Sequence, residues 1–369
     1  MMREEQSTPA KKQRWDYIDV AKGLGMLAVI LGHIGLSGWN IFIFSFHMPL
    51  FFIISGFFFH TQDNRGYLVK RSRQLLIPYV FTCVCIILLA ILRETAKAVL
   101  YGGELLRPIK TAVVRWSLAG ILGSGSRTDY FGINCNYFIG AIWFLLAMFW
   151  AGLLVNILLK HKHGSIAILI IGAIGLISAK FIWLPWSIQP ATAAAVYILI
   201  GYSLRNKLDR LENVWVVIGC FCCWICYLTL CYSTNKKIAV VDAVFPWWVI
   251  DFVGSTAATV CVLYVSRIIC RITRVTKRFL VWYGRNSLIV LCFHLMELFL
   301  FQRKIVRSFI AQFGTLSPLV LVIVYAAEII WTCAGVVAAH KVKALRYVFT
   351  VNYTKATSNG KDKGAEQLS

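Results

Sequence analysis

Long apolar runs, separated by short charged clusters, dominate this chain. Several exceed the roughly 18 residues that read as a membrane span. They predict helices at 20–38, 41–60, 75–93, 137–159 and 165–183, then at 190–204, 213–232, 246–268, 282–300 and 317–339. The run at 190–204 is the short one. The expected fold is all-α, a polytopic integral membrane protein of about ten transmembrane helices. A cytoplasmic segment, 1–13, precedes a membrane domain spanning 14–340. A basic, polar tail, 341–369, follows; from Asn352 it is rich in Ser, Gly and Lys and reads as disordered. Lys11, Lys12 and Arg14 stand ahead of the first run with no convincing small-residue cleavage site. They read as the flank of a retained first helix.

Composition agrees with the pattern. Hydrophobic residues make up 59% of the chain and charged residues 15%, against about a quarter charged in soluble domains. A formal charge of +22 invites a nucleic-acid reading. The charges lie in clusters between apolar runs, which is how a membrane protein sets its orientation. Of the 38 Lys and Arg, 26 fall on one side when the runs alternate. They include Lys70, Arg71 and Arg73, Arg205 and Lys207, and Arg271 to Arg285. The positive-inside rule then places both termini in the cytoplasm, with an even number of spans. The twelve cysteines lie almost all inside apolar runs, where thiols pack as small hydrophobes. Cys135 is the exception. Their spacing gives no metal site.

One connection, 94–136, is far longer than the others and falls on the outer side. Loops of this length are often functional. Gly123, Ser124, Gly125, Ser126, Arg127, Thr128 and Asp129, then Asn134 and Asn136, suit carbohydrate hydroxyls without specifying them.

Ionisable residues inside spans are costly and are candidates for function. Lys22 and His33 are eleven residues apart, close to three full turns, so they share one helix face. They are separated by roughly 16 Å along the axis. Asp19 lies three residues before Lys22 and can pair with it. His47 opens the second span at a depth near that of His33. Ser55 and Gly56 follow; the glycine permits close helix approach and the hydroxyl can bond across helices. His294 lies in the outer half of the ninth run. An imidazole is a suitable general base near neutral pH. A packing role remains open for His47 and His294. The cluster Lys70-Arg71-Ser72-Arg73 reads equally as a topology anchor and as a site for an anionic cytosolic ligand, since arginine grips phosphate bidentately.

These residues resemble the acyltransferase family 3 membrane proteins, and more narrowly their fucose 4-O-acetylase-like branch. The resemblance is carried by Asp16-Tyr17-Ile18-Asp19-Val20-Ala21-Lys22-Gly23, Gly32-His33, Phe46-His47-Met48-Pro49-Leu50-Phe51-Phe52 and Ser55-Gly56-Phe57. Arg71, Arg73, Pro78, Tyr79, Trp143-Phe144-Leu145, Gly284-Arg285-Asn286-Ser287-Leu288 and His294 extend it. It covers about 14–340 and is most specific in the first two spans. It implies an O-acetyltransferase of a bacterial inner membrane, taking acetyl from cytosolic acetyl-CoA to a hydroxyl of a cell-surface or lipid-linked glycan. Neither a metal nor a nucleic-acid partner is expected from the cysteine spacing and the charge pattern. By resemblance His33 is catalytic, and Arg71 and Arg73 help hold the donor. Lys22 joins them at the cytoplasmic mouth, and His47 and Ser55 orient His33 or donate to the oxyanion. Asp19, Trp143, Asn286 and His294 are expected as substrate or support residues. His33 either deprotonates the acceptor or carries the acetyl group itself. The rival reading is a transporter or flippase for a lipid-linked glycan; its usual inverted repeats and paired broken helices are not evident.

Overall fold

The computed structural model describes residues 15–34, 38–126, 129–130, 133–134, 136–208, 213–297, 308, 312–313 and 317–349. Cys135, Arg127, Thr128, the segment 1–13 and the tail from Asn352 lie outside these residues.

Helix α1 (Asp16–His33) carries Asp16 and Asp19 in its first turn, where acidic side chains complement the helix dipole. Helices α2 (Asn40–Phe44) and α3 (His47–Phe57) form one apolar stretch broken at Ser45. The Ser45 hydroxyl donates to the Phe42 carbonyl at 2.7 Å and accepts from Trp224 Nε1 at 2.9 Å, which holds the break open. Helix α4 (Asn64–Arg71) is capped by Asp63, whose carboxylate accepts from the Gly66 amide at 3.1 Å. It runs through a π-helical turn, Ser72–Leu76, into α5 (Ile77–Tyr101). Pro78 explains that turn. It has no N–H for the Gln74 carbonyl, and its ring crowds that carbonyl in α-geometry; a widened turn relieves both.

There follow α6 (Leu106–Leu122), a two-residue antiparallel pair of β1 (Asp129–Tyr130) with β2 (Ile133–Asn134), α7 (Trp143–Leu158), α8 (Gly164–Ser178) and α9 (Ile188–Leu204). The chain continues with α10 (Val214–Thr234), α11 (Val249–Ile272), α12 (Arg274–Arg285) and α13 (Ser287–Glu297). Last among the described elements come α14 (Pro318–Lys341) and α15 (Lys343–Phe349).

Among the described residues, six helical segments are long and apolar enough to cross a membrane: Asn40–Phe57, Asn64–Tyr101, Gly140–Leu158, Val214–Thr234, Val249–Ile272 and Pro318–Lys341. The pair α12–α13, bent by 78°, makes a seventh if counted as one broken span. The protein is thus a helical, multi-pass membrane protein. The other three expected spans coincide with α1, α8 and α9. Helix α1 carries Asp16, Asp19 and Lys22, and α8 and α9 have 15 and 17 residues, short of the 20 or so that cover a bilayer core.

Two expectations change. The stretch 94–136, read as one external connection, is largely helical, because α5 runs on to Tyr101 and α6 occupies 106–122. The basic cluster at 70–73 is not a connection; it lies within continuous helix ahead of the third apolar run.

Two crossings fix the site-bearing helices. A Cβ on Gly56 would lie 2.2 Å from the Ile198 carbonyl oxygen and 2.8 Å from Gly201 Cα, so α3 and α9 touch backbone to backbone. Helices α1 and α12 meet in the same way: a Cβ on Gly284 would fall 1.9 Å from the Asp19 carbonyl oxygen. Small residues at such crossings admit close packing where lipid offers no hydrophobic drive.

Asn156 ties α7 to the connection between α3 and α4. Fully buried, it accepts from the Gln62 amide at 2.8 Å and donates to the Gln62 carbonyl at 3.1 Å. Replacing it with leucine, close in volume, orphans both backbone groups. Thermal unfolding in detergent is expected to register a loss of about 1–3 kcal/mol. An unchanged melting temperature would mean that water satisfies those groups.

Candidate active site

The helices enclose a cavity of about 950 Å³, large for a single ligand site. It is lined by Lys22, Met26, Val29, Gly32 and His33 of α1, which confirms the helix face read from the eleven-residue spacing. His47, Phe51 and Ser55 of α3, Arg71 and Gln74 near the π turn, and Trp143, Phe144 and Met148 of α7 form the facing wall. Gly284, Arg285, Ser287 and Leu288 line it where α12 gives way to α13.

At one end the cavity is basic. Arg285 donates through Nε to Asp19 at 2.9 Å and through Nη2 to Asp16 at 3.0 Å. Lys277 also meets Asp16, at 2.9 Å, and Lys22 meets Asp19 at 3.3 Å. These pairs are partly exposed, so each contributes little to stability, about 0–1 kcal/mol. Their effect is positional, since Asp19 holds both Lys22 and Arg285 at the cavity wall. Arg71 differs. Its Nη1 donates to Gln74 at 3.2 Å and its guanidinium lies 5.5 Å from the centre of the Tyr67 ring. No carboxylate pairs with it among the described residues, and its Nε is buried without a hydrogen-bond partner. An arginine that lines a cavity with no carboxylate beside it suits a phosphate.

Arg73 does not join this set. Its side chain is exposed and does not line the cavity, because residues two apart on a helix point to different sides. Gln74 takes the lining position.

Deeper, His33 lines the cavity with its ring accessible. His47 is 7% exposed, and its Nδ1 donates to the Ile43 carbonyl at 2.8 Å. In neutral His47 that bond leaves Nε2 as an acceptor, so this tautomer offers no proton to an oxyanion. His33 and Lys237 both lie close enough to act electrostatically on it. Ser55 lines the cavity eight residues on, about 12 Å along α3. His47 and Ser55 therefore do not converge on one atom. Ser55 faces the passage between the basic end and the histidines.

His294 is fully buried and is not part of the lining; its ring centre is 5.3 Å from that of His33. Its Nδ1 is hydrogen-bonded to Glu328 on α14. Asn286 caps α12 rather than facing the cavity. It donates to the Trp282 carbonyl at 2.8 Å and accepts from His340 Nε2 at 2.8 Å, which secures the bend. Trp143 is 5% exposed and forms part of the wall.

At the far end the lining becomes polar again through Gly125, Ser126, Lys237 and Asp242. Ser126 hydrogen-bonds to Asp242. The Lys237 ammonium stands 4.3 Å from the centre of the Phe44 ring. Desolvation draws its pKa below the usual lysine range, and Asp242 opposes that shift. The stretch 94–136 thus contributes Gly125 and Ser126. Sequence reasoning passed over Gln74, Lys237, Asp242 and Glu328. Glu328 was within reach, being a carboxylate in the middle of an apolar run. Lys237 was detectable as one of two adjacent lysines on the lysine-poor side. Among the described residues no cluster of three or more His, Cys, Asp or Glu is suited to a metal ion.

The sequence profile of the family described as "Acyltransferase domain", acyltransferase 3, matches residues 15–336. The chain is 26% identical over 332 residues to the nodulation protein NolL of Mesorhizobium japonicum, covering 80% of this chain and 81% of the relative. It is 25% identical over 338 residues to NolL of Sinorhizobium fredii, covering 81% and 80%. No solved structure matches. The match takes in every lining helix from α1 to α13, and the chain belongs to the acyltransferase 3 family, as a membrane enzyme that transfers acyl groups other than amino-acyl groups.

Proposed function

We propose that the protein is an O-acetyltransferase that moves acetyl from cytosolic acetyl-CoA to a hydroxyl of a cell-surface or lipid-linked glycan. It would act in a bacterial inner membrane with both termini cytoplasmic. The carrying observation is the cavity itself, which joins an arginine without a carboxylate partner at one end to a histidine pair and a polar rim at the other. On this reading α1, α8 and α9 also cross the membrane, and ten spans result. Their support is the burial of α1 and α9 among the other helices and the apolar character of α8.

Arg71, with Lys22 and Arg285, holds the donor phosphates at the cytoplasmic mouth. The acyl thioester extends along the passage past Ser55 toward His33. The imidazole of His33 takes the proton of the acceptor hydroxyl, whose oxygen attacks the thioester carbonyl. The carbon–sulfur bond breaks, and the proton passes from His33 to the leaving thiolate. Trp143, Ser126, Lys237 and Asp242 form the wall against which the acceptor rests; aromatic faces and paired polar groups suit a sugar.

Purified protein incubated with labelled acetyl-CoA and a panel of methyl hexosides and 6-deoxyhexosides is expected to yield labelled O-acetyl sugar. If acetyl-CoA neither binds nor is consumed, the reading fails.

The two arginines separate cleanly. Arg71→Ala is expected to raise the KM for acetyl-CoA by about 10–100-fold, as loss of a charged hydrogen bond of about 1.5–3 kcal/mol predicts, with kcat less affected. Arg73→Ala is expected to leave both constants within twofold. Equal effects at the two positions would remove Arg71 from the donor site.

A further inference from the structure

We propose that His294 and Glu328 are positioning residues that orient His33 for proton transfer. This rests on the acyl-transfer reading above. The two side chains are 0% and 1% exposed and come from different helices, α13 and α14. An imidazole and a carboxylate buried in an apolar bundle are costly unless they serve each other. Packing alone would be met by apolar residues of the same volume.

A hydrogen bond ties the pair together: His294 Nδ1 and a Glu328 carboxyl oxygen share it. The His294 Nε2 is buried with no hydrogen-bond partner among the described residues. The nearest ring is His33, 5.3 Å away between centres and tilted by 38°. The two rings are in contact, so Glu328, by holding His294, limits the orientations open to His33. Held in this way, the His33 ring stays turned to the cavity that it lines.

The reaction balances through this chain. The acceptor O–H breaks and its proton joins the cavity-facing nitrogen of His33. The new oxygen–carbon bond forms, the thioester carbon–sulfur bond breaks, and the proton moves on to sulfur. While His33 is doubly protonated, the His294–Glu328 pair stabilises its positive charge. The logic is that of a buried acid holding a catalytic imidazole in place, here through a second imidazole packed against it.

The test compares Glu328→Gln, His294→Asn and the double variant with the parent enzyme and with His33→Ala, using acetyl-CoA and the same methyl hexoside panel. Gln keeps the volume and a hydrogen-bonding group but no charge. Each single change is expected to lower kcat by about 10²-fold with the KM for acetyl-CoA within twofold. The double variant is expected to be no slower than the slower single, because the residues act as one chain. Glu328→Gln at parental kcat overturns the proposal, as does a double variant that loses the product of the two single effects. If Glu328→Gln is not recovered folded, His294→Gln decides: parental kcat in that variant overturns the proposal. A parent enzyme that does not consume acetyl-CoA overturns the functional reading instead, and this one with it.

Discussion

His33→Ala is expected to lower acetyl transfer by about 10³-fold, within the 10²–10⁴ that a positioned general base contributes. The loss should fall on kcat. Lys22 is eleven residues away on α1, roughly 16 Å along the helix, so the donor grip at Arg71 and Arg285 is untouched and KM for acetyl-CoA stays close to parental. Stability should change little, since the His33 side chain is largely accessible in the cavity, with the His294 ring on one side of it. The measurement is initial rates with labelled acetyl-CoA, beside thermal unfolding of the same preparation. Full activity in the variant would move the base to His47, whose Nε2 is an acceptor when its Nδ1 bonds Ile43. A fall in both activity and melting temperature would instead make His33 structural.

Gly56→Leu is expected to prevent folding. The added Cβ would meet backbone atoms of Ile198 and Gly201 at 2.2 and 2.8 Å, and backbone cannot rotate aside as a side chain can. Overpacking that displaces only side chains costs about 1–3 kcal/mol; forcing α3 from α9 should exceed the upper end of that range. Buried α9 residues from Ala193 to Ile198 would lose contact together. Gly219→Leu supplies the control. A Cβ at Gly219 meets nothing within 4 Å, so the same change on α10 should leave yield and melting temperature as they were. Size-exclusion profiles in detergent read the contrast. A monodisperse Gly56→Leu protein of parental stability would show that the crossing tolerates separation.

Much of the architecture is readable from the chain. Apolar runs long enough to span a bilayer exclude a soluble fold. The eleven-residue spacing alone places Lys22 and His33 on one helix face, because helical periodicity is a local property. Gly56 likewise marks a close crossing, though not its partner. Local signals misled where helix continues through polar sequence. The basic residues at 70–73 read as a connection but sit in helix, and the residues of α6 read as loop because their hydrophobicity is modest.

The class of the protein, the axis of its site and its family are all legible along the chain. Those follow from composition, period and short motifs, all properties of contiguous residues. Which ionisable groups share a space is set by the packing of the helices. That packing set Arg71 toward the cavity and Arg73 away from it, brought Lys237 and Asp242 to the far rim, and placed Glu328 against His294 beside His33. His33, His294 and Glu328 lie on separate helices, the first far from the others in the chain. Their meeting depends on glycine-sized crossings and helix breaks, whose geometry is settled only when the whole bundle packs.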